Sequence, residues 1–521
     1  MPKPHLLIAD PTHSLASQSR RGCMAKLLAL SGSGLLGCAS PSKPIDTNAI
    51  AVGLNQRLRD QIESENKIDG LVSLYDAMAR ALKYNLDQKI ELAEIVMRER
   101  QLEARSADML PTLVAGMTGA ARNNDAGSRS KSLLTGRESL EPSTSSERAS
   151  ISGDLALSWD MLDYGLARVR QRQQADERMI SVERRRKVMN RILEDVRTAY
   201  WRAVSTDRTS RKLAELQVMT ARAMRQAEEI EQRRIASPGV VLGYQRELIQ
   251  VTGEVQRLQR ELSMAKSQLA ALMNLIPDTT YRLVLPDRND VVPELPGSAD
   301  AMVLTGLRYR SEVRESAYRQ RIVKGELDVA FLRAMPSVRG ILGLNADSND
   351  FLYNKQWVNF SSRLTWNLLE AFRYPKTKRA IEAESSALEQ RDLALTMAIM
   401  TQIYVARSRF LYLADELGTA RRAQSVQQRL LTQAQSAFKA RAISQQQLVR
   451  EELNFVLSEI RYDVAYSDVQ NAYANLYASM GLDNFDIDAS QDIPINKLAS
   501  ALEEYWTERS LSLPSKPESK S

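Results

Sequence analysis

Thiols and imidazoles are the side chains that most readily bind metals or attack a carbonyl carbon. In this chain of 521 residues all of them precede residue 39: His5, His13, Cys23 and Cys38. The rest of the sequence therefore offers no zinc ligand set, no cysteine nucleophile and no Ser–His–Asp triad. Carboxylate or lysine chemistry needs no such residues, but no glycine-rich GxxxxGK(S/T) phosphate loop accompanies it. Neither an enzyme nor a cofactor is expected. The formal charge of +7 does not make a nucleic-acid footprint. Lys3, Arg20, Arg21 and Lys26 against Asp10 contribute +3 of it before residue 38, leaving +4 spread over the whole remainder. Basic and acidic residues alternate along that remainder, the pattern of solvated helix faces.

One thiol sits in a reactive context. Lys26 precedes an apolar run from Leu27 to Leu36, and Gly37, Cys38, Ala39 and Ser40 follow. A basic flank, a short apolar run and small residues at its end make a secretory signal. The run is too short to span a membrane as a helix. Residues 1–37 are expected to be a signal peptide, read from Met1 or, in a compact form, from Met24. Leu35-Leu36-Gly37-Cys38 resembles a bacterial lipobox, with Leu36 where Ala or Ser is usual. The resemblance implies that Cys38 becomes the first mature residue and carries palmitate or a similar acyl chain. Ala39 after it implies sorting to the outer membrane. The plainer alternative is a buried cysteine near an ordinary cleavage site.

The elements behind this leader are duplicated. Trp159-Asp160-Met161-Leu162-Asp163 reappears 207 positions later as Trp366-Asn367-Leu368-Leu369-Glu370. At the same offset Arg234-Ile235-Ala236-Ser237 returns as Arg441-Ala442-Ile443-Ser444, and Met273-Asn274-Leu275 as Met480-Gly481-Leu482. Upstream the offset is 225: Leu110-Pro111 matches Met335-Pro336, and Leu82-Lys83-Tyr84 matches Leu307-Arg308-Tyr309. One loop is thus 18 residues longer in the first half, whereas the helical lengths are held fixed. A repeat that conserves length while a loop varies describes a rigid part.

Within each repeat, strands come before helices. Ile151–Trp159 and Val358–Trp366 alternate apolar and polar residues over nine positions, which is a half-buried strand or a strand between lipid and a wet lumen. Their partners, about 112–121 and 337–346, alternate less well. Trp159, Trp366, Trp357 and Tyr353 fall at strand ends, where membrane-boundary aromatics are placed. Four strands cannot close a barrel alone, and open edges are forbidden in lipid, so strands in a membrane would have to be pooled among chains. Helical pattern runs from Leu71 to about Met109, and Arg122–Arg148 reads as a polar exposed loop. From Leu166 to Arg234 the pattern is again helical, about 100 Å at 1.5 Å per residue. Ala175, Val182, Met189, Val196 and Ala203 form a heptad seam along it. The expected order is a tether at 38–67, a first repeat at 68–275 with its hairpin at 166–275, and a linker at 276–297. A second repeat at 298–482 with its hairpin at 373–482 and a C-terminal segment at 483–521 complete it.

Strand pair, long helical hairpin and repeat behind a lipobox resemble the TolC-type outer-membrane factor family. Leu110-Pro111 opening the first strand, Trp159 to Gly165 closing the second, and a turn patterned Gly-x-x-Ser-x-x-Asp-Val/Leu carry the resemblance. In the turns Arg234 and Arg441 replace the family's glycine, Val240 and Gln447 replace its Asp, and Ser237 and Ser444 are kept. Glu370-Ala371-Phe372 stands where Asp-x-Gly is usual. The resemblance implies a mainly α chain with a small β part. It implies a homotrimer with a twelve-stranded membrane barrel on twelve helical columns, a conduit between an inner-membrane pump, a periplasmic membrane-fusion adaptor and the exterior. Small-molecule efflux and type I secretion both remain open as cargo. Arg234, Ser237, Arg441 and Ser444 would form the periplasmic tip, as adaptor contact or gate, or else be plain solvated charge and polarity. A poreless periplasmic coiled-coil lipoprotein is the competing reading.

Overall fold

The computed structural model describes residues 45–65, 68, 70–277, 279–288, 291–483, 493–511 and 513. Cys38 and the expected signal peptide lie outside them. The chain divides into two compact units between Gln61 and Ile62. The described part of the first is most of helix α1 (Thr47–Glu65), within the stretch expected to be a bare tether. Asp46 accepts hydrogen bonds from the amides of Asn48 and Ala49, and so starts this helix. Ile50, Leu54 and Leu58 form an exposed apolar row along it at i, i+4 spacing.

The second unit opens with β1 (Leu71–Val72), α2 (Leu74–Tyr84) and α3 (Leu86–Ala107). The single helix expected over 71–109 is broken at Asn85, which ends α2 and caps α3 by accepting from the Asp87 amide. Asn85 also donates to the Leu272 carbonyl, which fixes the bend. Strand β2 (Thr112–Ala121) follows. The polar loop is exposed as expected, yet it holds a small ribbon, β3 (Gly127–Ser128) with β4 (Ser143–Thr144). A bidentate Arg148–Asp125 pair at 2.7 Å closes its base. Next come β5 (Ala149–Asp160) and α4 (Met161–Gln232), then α5 (Pro238–Ser263) and α6 (Ala265–Leu272), separated by a one-residue break at Met264. The linker contains β6 (Arg282–Leu283), which pairs in parallel with β1. The second repeat is α7 (Ala299–Tyr309), α8 (Ser311–Ala334), β7 (Ser337–Asp347), β8 (Gln356–Thr365), α9 (Leu368–Lys439) and α10 (Gln445–Ser479), and α11 (Ile495–Leu511) follows.

Helices α4 and α9 both have 72 residues and begin 207 positions apart, so each is about 108 Å long. Helices α3 and α8 flank the first part of α4, and α5, α6 and α10 flank the rest; α9 packs on α7, α8 and α10. The larger core lies half-way down α4. There Leu193, Val196, Tyr200 and Ala203 meet Met78 and Leu82 of α2, Met302 of α7, Leu476 of α10 and Leu502 of α11. Three of the expected seam residues, Met189, Val196 and Ala203, are buried. An ion pair of Arg197 with Asp483 is buried here, one bond at 3.0 Å, with the guanidinium 5.5 Å from the Trp506 ring. Further along, Asp463 meets Arg208 and Arg288, each at 3.2 Å. Burial pushes its carboxyl up from the usual range while the two guanidiniums pull it down. A second apolar cluster joins the ends of α4 and α5 to Leu453, Leu457 and Ile460 of α10.

Candidate functional site

The four long strands form one antiparallel sheet in the order β2-β5-β7-β8. Directly paired residues share a face, so the register sorts the side chains. On one face lie Leu113 and Met117 of β2, Ile151, Leu155, Leu157 and Trp159 of β5, Val338, Leu342 and Leu344 of β7, and Val358, Phe360 and Leu364 of β8. On the other lie Ser152, Asp154, Ser158 and Asp160 with Arg339, Asn345, Asp347, Asn359, Ser361 and Arg363. The apolar face is continuous across all four strands and exposed in the single chain. β2 and β8 are edges with one neighbour each. Two glycines serve the polar face: a Cβ on Gly116 would meet Asp154, and one on Gly343 would meet Asn359. Their absence lets those side chains lie across the neighbouring strand, where Asn345 donates to Asn359 at 2.5 Å.

The four expected boundary aromatics separate on this register. Trp159 is on the apolar face and packs edge-on against Tyr164 at 5.8 Å. Trp366 directly follows β8, half-exposed, and donates its indole N–H to the Ala334 carbonyl at 3.0 Å. Tyr353 is fully exposed in the β7–β8 turn. Trp357 stands opposite Asn345, on the polar face.

Where the sheet passes into α4, Asp160 organises the junction. Its Oδ1 caps the helix by accepting from the amides of Leu162 and Asp163. It also accepts from the Ser337 hydroxyl, and its Oδ2 faces Arg339 Nε at 3.3 Å. Residues missed in the sequence but present here are Arg339 and Arg363; the helix-capping type of Asp160 was the one available signal.

The tips lie at the other ends of the long helices. Arg234 and Arg441 have φ of 51° and 56°, the left-handed region that favours glycine. The Ile235 amide bonds to the Ile230 carbonyl and Arg234 to Glu231; Ala442 bonds to Ala437 and Arg441 to Phe438. Both tips are therefore Schellman caps, which gives the physical reason for glycine in the family's turn. Asn274 and Gly481 close the returning helices in the same way. Ser444 is a helix N-cap: its Oγ accepts from the Gln447 amide and Gln447 Oε1 accepts from the Ser444 amide. Gln447 thus completes a capping box that Val240 cannot form at Ser237, where Pro238 instead opens the helix. Arg234 and Arg441 are both exposed. Glu231 and Glu451, which could have paired with them, accept from Gln245 and Gln427.

No protein-family model matches the chain and no curated protein matches it in sequence. Solved structures do. The CmeC outer membrane channel of Campylobacter jejuni aligns with a TM-score of 0.61 at 14% identity, covering 82% of this chain and 89% of its own. CusC, described for its folding and transmembrane channel formation, aligns at 0.60 and 17%, covering 80% and 95%. The outer-membrane channel OprN aligns at 0.60 and 15%, covering 78% and 89%. A mostly helical chain, with two strand pairs joined in one sheet and two long hairpins, has the fold of the TolC-type outer-membrane channels.

Proposed function

We propose that this chain is one protomer of an outer-membrane export channel, a passive conduit that does no chemistry. The observation that carries the reading is the sheet, with one continuous apolar face, one polar face and two unpaired edges. Such a sheet has its lipid side built but cannot leave edge N–H and C=O groups unpaired in hydrocarbon. Further copies must meet β2 and β8, and three chains of four strands close an even, antiparallel barrel with the polar face inward. Among the described residues no helix is long and apolar enough to cross a membrane. Leu393, Met397, Tyr404, Val405, Leu411 and Tyr412 leave α9 with an exposed apolar stripe on which a neighbouring copy can pack. The likeness to structures described as outer-membrane channels supports the same reading.

In this assembly residues 1–37 direct secretion, Cys38 anchors the chain in the outer membrane, and 38–67 tether it. The repeats at 68–275 and 298–482 build the barrel and a periplasmic tunnel, with the Arg122–Arg148 loop outside the cell. Trp159 and Trp366 mark the periplasmic boundary of the outer membrane. The turns bearing Arg234, Ser237, Arg441 and Ser444 face a membrane-fusion adaptor, through which an inner-membrane pump supplies the energy. The test is whether the purified chain runs as a heat-modifiable trimer and gives single-channel currents in planar bilayers. A monomer that never conducts overturns the proposal and leaves a poreless periplasmic lipoprotein.

A further inference from the structure

The polar face of the sheet ends, on its helix side, in a charge arrangement that strand pairing disfavours. Asp160 on β5 stands opposite Arg339 on β7, and Arg339 stands opposite Arg363 on β8. Directly opposite side chains have Cβ atoms only about 5 Å apart, and like charges so placed are destabilising. Asp160 offsets Arg339 at 3.3 Å, but its other oxygen is occupied by the α4 cap and Ser337. One carboxylate thus stands beside two guanidiniums and contacts only Arg339. Arg363 is exposed and has no ion-pair partner among the described residues.

The other charges nearby do not cancel it. Asp108 and Asp163 line the cavity beneath the strand ends together with Arg170. Asp108 is held by Arg105 at 3.2 Å, and Asp163 shares its wall with Arg170. Higher on the same face the next acid is Asp154, six residues from Asp160 along β5, or about 20 Å at 3.4 Å per residue. That exceeds the Debye length of about 8 Å at physiological salt. Arg105, Arg170, Arg339 and Arg363 against Asp108, Asp160 and Asp163 leave one positive charge in excess in this set where sheet becomes helix, and the Glu370–Arg373 pair beside it adds none.

We propose that Arg339 and Arg363, repeated around the closed barrel, form a ring of surplus positive charge at its helix-side neck that draws in the oxyanion groups of cargo, carboxylate, phosphate or sulfate. The inference rests on the channel reading above. Guanidinium suits the role because it stays charged at any working pH and presents a planar fork of donors that matches an oxyanion. A ring on a wide wall acts through the local field, so its effect is largest at low salt.

The test is the reversal potential of the full-length chain in planar bilayers under a KCl gradient. In about 10 mM KCl, where the Debye length is about 30 Å, the chloride-to-potassium permeability ratio should fall at least about twofold in Arg363→Gln and further in Arg363→Glu. Arg363→Lys should keep the wild-type ratio, and the differences should shrink in about 1 M KCl, where the Debye length is about 3 Å. Ser361→Glu, one row away on the same face, keeps Arg363 and should lower the ratio likewise, so the result stands even if a variant at 363 fails to assemble. Channels with one unchanged ratio across these variants overturn the charged neck. A wild-type chain that forms no channel overturns the proposed function instead.

Discussion

The two 72-residue helices are copies in length and opposites in surroundings. α4 buries 22 of its residues, among them Arg197, Tyr200 and Trp201, whereas α9 buries six and exposes a stripe from Leu393 to Tyr412. The difference follows from what packs on each. α4 is wrapped by helices of both repeats, while the helices packed on α9, which are α7, α8 and α10, all belong to its own repeat. Duplication kept the dimension and divided the labour. The first copy holds its own chain together, and the second leaves an apolar side exposed. Burying that stripe would contribute about 1.5–3 kcal/mol for each large apolar side chain removed from water.

Substitutions in the two helices should therefore fail in different ways. The largest effect is expected inside α4. Arg197→Met strands Asp483 as a buried carboxylate, which costs about 3–5 kcal/mol, and thermal melting followed by circular dichroism should drop accordingly. A wild-type melting curve would mean that α4 is not the chain's own backbone and would break the contrast. On α9, a Tyr404→Asp, Tyr412→Asp double variant should keep its helical signal yet lose assembly, shown by sedimentation as a shift to monomer. If this variant stays assembled, the exposed stripe is not the face that meets another copy.

The smallest effects belong to the tips, and there too the repeats differ. Ser444→Ala removes half of a capping box and should cost about 1 kcal/mol in stability. Ser237→Ala, where Val240 cannot reciprocate and Pro238 already fixes the first turn, should cost less. Equal losses in denaturation midpoints would show that the second box adds nothing.

How much of this was legible in the sequence depends on the range of the signal. The offset of 207 gave the equal lengths of α4 and α9 because it needs only counting. The alternation in Ile151–Trp159 and Val358–Trp366 gave β5 and β8, since one side of each strand carries large apolar groups. β2 was fainter because Gly116, Thr118, Gly119 and Ala120 are too small to sort by polarity. The breaks at Asn85 and Met264, and the two-residue pairing of β1 with β6, leave no periodic trace at all. The opposition of Arg339 and Arg363 was invisible for a different reason. It exists only once the β7–β8 register is fixed, and residues 24 apart do not announce that they are neighbours. Likewise the sequence shows Trp357 as a strand-end aromatic, but only its pairing with Asn345 shows which face it occupies. Ser237 and Ser444 lie in the two turns, and their types also describe helix caps; at Ser444 the geometry is that of a cap.

The shared count of 72 has a consequence for how such a protein can change size. At 3.6 residues per turn it is about 20 whole turns, so each long helix leaves the sheet and reaches its tip on nearly the same side. Removing one residue would swing the tip by about 100° as well as shorten it by 1.5 Å. Removing seven shortens it by about 10 Å but swings it only about 20°. A longer or shorter relative should therefore differ by whole heptads, taken from both repeats and from both legs of each hairpin at once, much as a table is lowered only by trimming every leg alike.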